Sequence, residues 1–197
     1  FAPEIPVVQF GKISVSPPPG AFLQATRDGE TTLQNAIAEI AGSGRQMVDL
    51  FAGCGTLSLP LLDNIANLLA VEQSEEALAA LKFGVDAAGI GGRVKTASRN
   101  LFDAPLMPNE LESFDMAILD PPRSGAAAQC QMLAQSGIAK IAMVSCNPSS
   151  FARDAAILTE SGFQLKWVQV IDQFSFSNHL EPVSYTHLRA HETLMNL

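Results

Sequence analysis

At 197 residues, 47% of them hydrophobic and 16% charged, the chain has enough apolar content for one domain with a sizeable buried core. A net charge of −8 excludes a protein that grips nucleic acid over most of its surface, because phosphate binding relies on clustered Lys and Arg. Three cysteines, odd in number and without C-x-x-C spacing, argue against a disulfide framework or a zinc ribbon, so free thiols in a reducing cytoplasm are expected and no metal.

No uninterrupted apolar run reaches the roughly 18 residues of a membrane span, and the first residues lack a basic region followed by an apolar one. A soluble monomer in the cytoplasm is the expectation. The chain begins with Phe1, and "VVQFGKISVSPPPGAFLQAT" reads as strand and loop, so residues 1–20 are expected to be a linker or the remnant of a preceding region. The proline run at Pro17 marks the start of the domain proper, residues 21–183.

From Gln46 onward, short β-type runs alternate with helical patterns, the signature of a doubly wound, mostly parallel α/β sheet. "QMVDLF" is the first strand; it enters the turn "AGCGT" and then "LSLPLL", where Pro60 limits a regular helix. "NLLAVE" is a second strand, and "SEEALAALKFGVDAAG" a helix with Ser74 as N-cap and Gly89 as its stop. "RVKTAS" and "FDMAILD" are the third and fourth strands, followed by the loop "DPPRSG" and a small-residue helix from about Ala126 to Ser136. "KIAMVSC" is the fifth strand, "PSSFARDAAILTESG" a helix with Pro148 in its first turn, and "FQLKWVQVID" the sixth strand.

In such sheets ligands sit outside the carboxyl ends of the strands, where strand order reverses. The turn "DLFAGCGT", with Asp49, Phe51, Gly53 and Gly55, belongs there, and Glu72 closes the next strand, where a carboxylate can accept hydrogen bonds from a ribose diol. These features alone suit NAD as well. Asp103 in "NLFD" adds a carboxylate that could meet an adenine amino group.

Asp120 ends the fourth strand, and two prolines lock the backbone as it leaves the sheet, as suits a loop that holds a substrate. Read in order, "DPPRSG", "VSCNPSSFARD" and "DQFSFSNHLE" resemble the catalytic domain of the RNA uracil-C5 methyltransferases, from about Phe22 to Glu181. That resemblance implies the seven-stranded class I methyltransferase fold, S-adenosyl-L-methionine as cofactor, and a uridine in ribosomal RNA or tRNA as substrate; "FARDAAIL" resembles the ribosomal branch more. It further implies that Gln24 in "GAFLQAT" contacts the methionine part of the cofactor, and that Asp120 lies between cofactor and uracil. Arg123, Asn147 and Pro148 would meet the substrate. Amino-group methyltransferases place an aromatic residue where this chain has Arg123, and an NAD enzyme has no role for "DPPRSG" or "SCNP".

Uracil C5 is a poor nucleophile, and a thiolate added at C6 raises its electron density. Cys146, ending the fifth strand before a rigid Asn-Pro turn, suits that task; Cys54 and Cys130 have no partners suggesting chemistry. The C5 proton must then leave to a base, which the resemblance puts on Glu181, with His179 either positioning that acid or packing beside it. The family's small β-barrel RNA-binding module and its iron–sulfur cysteines are not in this sequence, and its "FP-T-H" stretch appears as "FSFSNH". After "HLEP" agreement stops, and residues 184–197 are expected to be a non-native tail, although "VSYTHL" alternates enough to fill a last strand. A domain that binds cofactor or RNA without turnover is the competing expectation.

Overall fold

Alternating apolar residues in the strand runs give the sheet two buried faces. The computed structural model describes residues 6–42, 44–171 and 181–188. Its strands are β1 (Val8–Phe10), β2 (Ile13–Val15), β3 (Gly44–Leu50), β4 (Ile65–Glu72), β5 (Val94–Ser98), β6 (Met116–Leu119), β7 (Lys140–Val144), β8 (Phe163–Ile171) and β9 (Glu181–Leu188). The helices are α1 (Arg27–Ala41), α2 (Glu75–Ala87), α3 (Pro108–Leu111), α4 (Ala127–Ala134) and α5 (Pro148–Glu160).

Seven strands form the main sheet in the order β5-β4-β3-β6-β7-β9-β8. All neighbours from β5 to β7 are parallel, while β9 runs antiparallel to both β7 and β8. The expected doubly wound, mostly parallel sheet is therefore present. From β3 the chain winds outward through β4 and β5, then returns to build β6 and β7 on the other side, so strand order reverses between β3 and β6.

Side chains divide by strand parity. Met47, Ile118, Ala142 and Val144 point into one core with Leu33, Ile37 and Leu81 of α1 and α2. Val48, Leu119, Ile141 and Met143 point into the other with Cys130, Leu133 and Leu158 of α4 and α5. Among the described residues, no helix is long and apolar enough to cross a membrane.

Three elements add to the sequence expectations. The helix α1 was not anticipated, although Thr26 caps it by accepting the Gly29 N–H at 3.1 Å, Asp28 and Glu30 sit in its first turn, and Leu33, Ile37 and Ile40 bury one face. In the segment expected to be a linker or the remnant of a preceding region, β1 and β2 pair as an antiparallel hairpin, with Phe10, Ile13 and Val15 buried in the α1/α2 core. The hairpin lies so close to α2 that a Cβ on Gly84 would stand 2.7 Å from the Ser14 carbonyl oxygen. Residues 184–188 complete β9, as the alternation in "VSYTHL" allowed, and Ser184 and Thr186 are fully buried there.

Candidate active site

The carboxyl ends of β3, β4, β6 and β7 surround a cavity of about 540 Å³. Eight of the expected site residues line it: Gln24, Asp49, Phe51, Gly53, Glu72, Asp120, Arg123 and Cys146. Pro18, Pro19 and Phe22 close the rim on the side of the segment before α1.

The glycine turn and Glu72 form one unit. Glu72 Oε2 accepts the Gly53 N–H at 3.1 Å, and Oε1 accepts the N–H groups of Gln73 and Ser74 at 2.8 and 2.9 Å. Phe51 enters the turn at φ 64°, the one non-glycine residue with positive φ among those described, and its ring tilts against Phe102 at 5.3 Å. Gly53 has open space where a Cβ would be, whereas a Cβ on Gly55 would lie 2.6 Å from Leu59. Gly55 thus serves packing beneath the turn and does not line the cavity.

Asp49 is 1% exposed, and its Oδ2 has no hydrogen-bond partner. Burial pushes its carboxyl up to about 7, against the lowering effect of the Ser58 hydroxyl and with a smaller push from Glu72. A buried carboxyl with a spare oxygen at a cavity wall is built to receive a donor.

Asp103 stays outside the cavity. It is exposed, and Asn100 Nδ2 donates to its Oδ2 at 2.6 Å, so the neighbours Asn100, Leu101 and Phe102 form that wall instead.

Cys146 follows β7 and is only partly buried. Cys130 is fully buried, and burial, with Asp154 adding to it, pushes its thiol far up; burial and Glu72 also push Cys54 up. Asn147 caps α5 by accepting the Ser149 N–H at 3.0 Å, and its Nδ2 donates to the Arg123 carbonyl at 3.1 Å. Asn147 and Pro148 do not line the cavity: Asn147 ties two loops together, and Pro148 opens the helix.

β7 and β9 pair with Val144 opposite Val183, and the Ser145 N–H donates to the Pro182 carbonyl at 3.1 Å. That bond ties the residue before Cys146 to the residue after Glu181. The Glu181 side chain and His179 lie outside the described residues.

Two functional candidates escaped the sequence reading. Asp154 Oδ2 accepts the Ala126 N–H at 2.6 Å, and Arg153 Nη2 donates to the Ser124 carbonyl at 2.9 Å. Both hold the "DPPRSG" loop from α5, and no local pattern signals a contact across such a sequence distance.

The chain matches the family model for tRNA (uracil-5-)-methyltransferase over residues 17–187. It is 44% identical over 179 residues to an uncharacterized RNA methyltransferase of Rhizobium meliloti, covering 91% of this chain and 43% of that protein. It is 34% identical over 165 residues to the 23S rRNA (uracil(1939)-C(5))-methyltransferase RlmD of Chromohalobacter salexigens, covering 83% of this chain and 34% of that one. In fold it resembles the tRNA (uracil-54, C5)-methyltransferase of Pyrococcus abyssi, solved with S-adenosyl-L-homocysteine, at a TM-score of 0.80 and 22% identity over 94% of this chain and 45% of that one. The chain spans less than half the length of these relatives. With a match that runs from the proline segment before α1 to the end of the sheet, the chain belongs to the tRNA (uracil-5-)-methyltransferase family.

Proposed function

We propose that this chain is the catalytic domain of an S-adenosyl-L-methionine-dependent enzyme that methylates C5 of a uridine in structured RNA through a covalent adduct between Cys146 and C6. The observation that supports the reading is the cavity lined by Cys146 together with Gly53 and Glu72, beside the Ser145–Pro182 hydrogen bond that ties the residue before Cys146 to the residue after Glu181. Nucleophile and base would then stand at one end of the cavity, and the glycine turn with Glu72 at the other.

The residues present fit the cofactor. Glu72 is held by three backbone N–H groups and faces the cavity as a hydrogen-bond acceptor for a diol, and Gly53 leaves room for close approach. Asp49, with its spare buried oxygen, suits a donor such as an amino group, and Gln24 lines the rim. When bound, this cofactor supplies an electrophilic methyl group on a sulfonium.

The chain's own residues prepare and finish the substrate. The Cys146 thiolate adds to C6, so the C5–C6 π pair moves to C5 as an enolate that can take up a methyl group. Glu181 then removes the C5 proton, the electron pair of that C–H bond restores C5–C6, and the thiolate leaves. The Asp120–Arg123 loop bounds the base on its other side, stiffened by Pro121 and Pro122.

Ribosomal RNA is favoured over tRNA as substrate. The 34% identity to a ribosomal uracil-C5 enzyme supports this, alongside "FARDAAIL" after the cysteine. The test is incubation with methyl-labelled cofactor and total RNA, then mapping of the label. Label in 5-methyluridine of ribosomal RNA is expected; label on a base amino group, or NAD binding in place of the cofactor, would end the proposal.

A further inference from the structure

The helix that begins after Cys146 also grips the loop that bounds the far side of the cavity. Within α5 and its cap, Asn147 Nδ2 holds the Arg123 carbonyl, Arg153 Nη2 holds the Ser124 carbonyl, and Asp154 Oδ2 holds the Ala126 N–H. Gly125 sits between these contacts at φ 77°, and a Cβ there would stand 2.4 Å from both Arg153 Nη2 and Asp154 Oδ2. The grip therefore closes only on a glycine.

Asp154 is 1% exposed, and its other oxygen, Oδ1, accepts from Arg153 Nε at 2.8 Å and lies 2.7 Å from Arg153 Nη2 as an ion pair. Burying an acid is costly, and a packed apolar residue at such a position is often at least as stabilising. What this ion pair, buried on the Asp154 side alone, provides better than an apolar contact is direction: Oδ2 fixes the loop at Ala126, and Oδ1 holds the Arg153 guanidinium that fixes it at Ser124. The loop so fixed carries Asp120, Pro121, Pro122 and Arg123 into the cavity wall.

We infer that Arg153 and Asp154 are positioning residues, which set the Asp120–Arg123 loop at a fixed distance from the Cys146 thiol by anchoring it to the helix that starts two residues after that cysteine. The inference rests on Cys146 being the nucleophile. Both walls of the substrate end then ride on one rigid element, and a small slip of the loop becomes a misalignment of C6 against the thiol.

Two variants of the full chain test it. Arg153→Ala removes a half-exposed side chain and keeps the core intact; Asp154→Asn keeps one acceptor for the Ala126 N–H but loses the ion pair. Each is measured for melting temperature, for cofactor binding by calorimetry, and for the rate of covalent adduct formation with a 5-fluorouridine RNA, counted per folded molecule. Cofactor affinity should stay within about two-fold, because the Gly53–Glu72 unit lies on other strands. The adduct rate should fall on the order of 10- to 100-fold. An unchanged adduct rate per folded molecule, with or without a lower melting temperature, would make the pair a plain structural anchor and overturn the inference. Failure of the unaltered protein to form any adduct would instead remove Cys146 as nucleophile, and the positioning role with it.

Discussion

The Glu72 carboxylate accepts the Gly53 N–H at 3.1 Å, so the acid at the end of β4 is aimed by the turn at the end of β3. An acceptor fixed before the ligand arrives loses little side-chain entropy on binding. Glu72→Ala is expected to cost about 1–3 kcal/mol of affinity for S-adenosyl-L-homocysteine, the range for losing hydrogen bonds to a charged group. Calorimetry decides it, and an unchanged dissociation constant would put the ribose elsewhere.

The two glycines of the turn after β3 should answer substitution differently. Gly53→Ala meets a positive φ and open space, so its penalty is the backbone one, about 1–2 kcal/mol. Gly55→Ala adds to a φ of 85° a contact of 2.6 Å with Leu59 and 2.9 Å with Leu81, so overpacking comes on top and the loss should reach about 3–5 kcal/mol. Urea unfolding of both variants gives the comparison; equal losses would mean that the Leu59 side chain swings aside freely.

Asp49 should make the fold less stable as pH rises. Its folded-state pKa is raised to about 7, so between the unfolded value near 3.8 and that point the folded chain holds a proton the unfolded chain has released. Stability is fully present below the lower value and falls by up to about 1.4 kcal/mol per pH unit until Asp49 ionises in the fold. Asp49→Asn should abolish this slope, matching the parent in acid and exceeding it at about pH 8. Denaturant titrations across that range would show it, and parallel pH profiles for the two proteins would rule it out.

How far the sequence goes depends on the length scale of the interaction. The strand ends that carry Asp49, Glu72, Asp120 and Cys146 were legible because period-two apolar runs fix the strands, and a doubly wound sheet brings their carboxyl ends together. The capping signals of α1 at Thr26 and Gly42 are equally local. Asp103, Arg153 and Asp154 are different in kind. Whether Asp103 points at the cavity or pairs with Asn100 depends on how one loop turns, and the partners of Arg153 and Asp154 are backbone groups more than two dozen residues away. Periodicity and composition carry no information about such contacts.

The sharpest expectation concerns Cys146 and Glu181, whose chain neighbours Ser145 and Pro182 are joined by a backbone hydrogen bond. In the proposed chemistry they act at opposite ends of one covalent intermediate. Cys146→Ala should abolish both methyl transfer and any covalent RNA adduct, since without addition at C6 the C5 position never becomes nucleophilic. Glu181→Gln should still add the thiolate and take up the methyl group, then stall before proton removal, because an amide is too weak a base. It should therefore accumulate a protein–RNA complex that survives denaturation, visible with labelled RNA on a denaturing gel. A 5-fluorouridine RNA gives the positive control with the unaltered protein, as fluorine cannot leave C5 as a cation. Methylation at C5 by the Cys146→Ala protein would strip the thiol of its role. Normal turnover by the Glu181→Gln protein would send the search for the base to Asp120, whose carboxylate also lines the cavity.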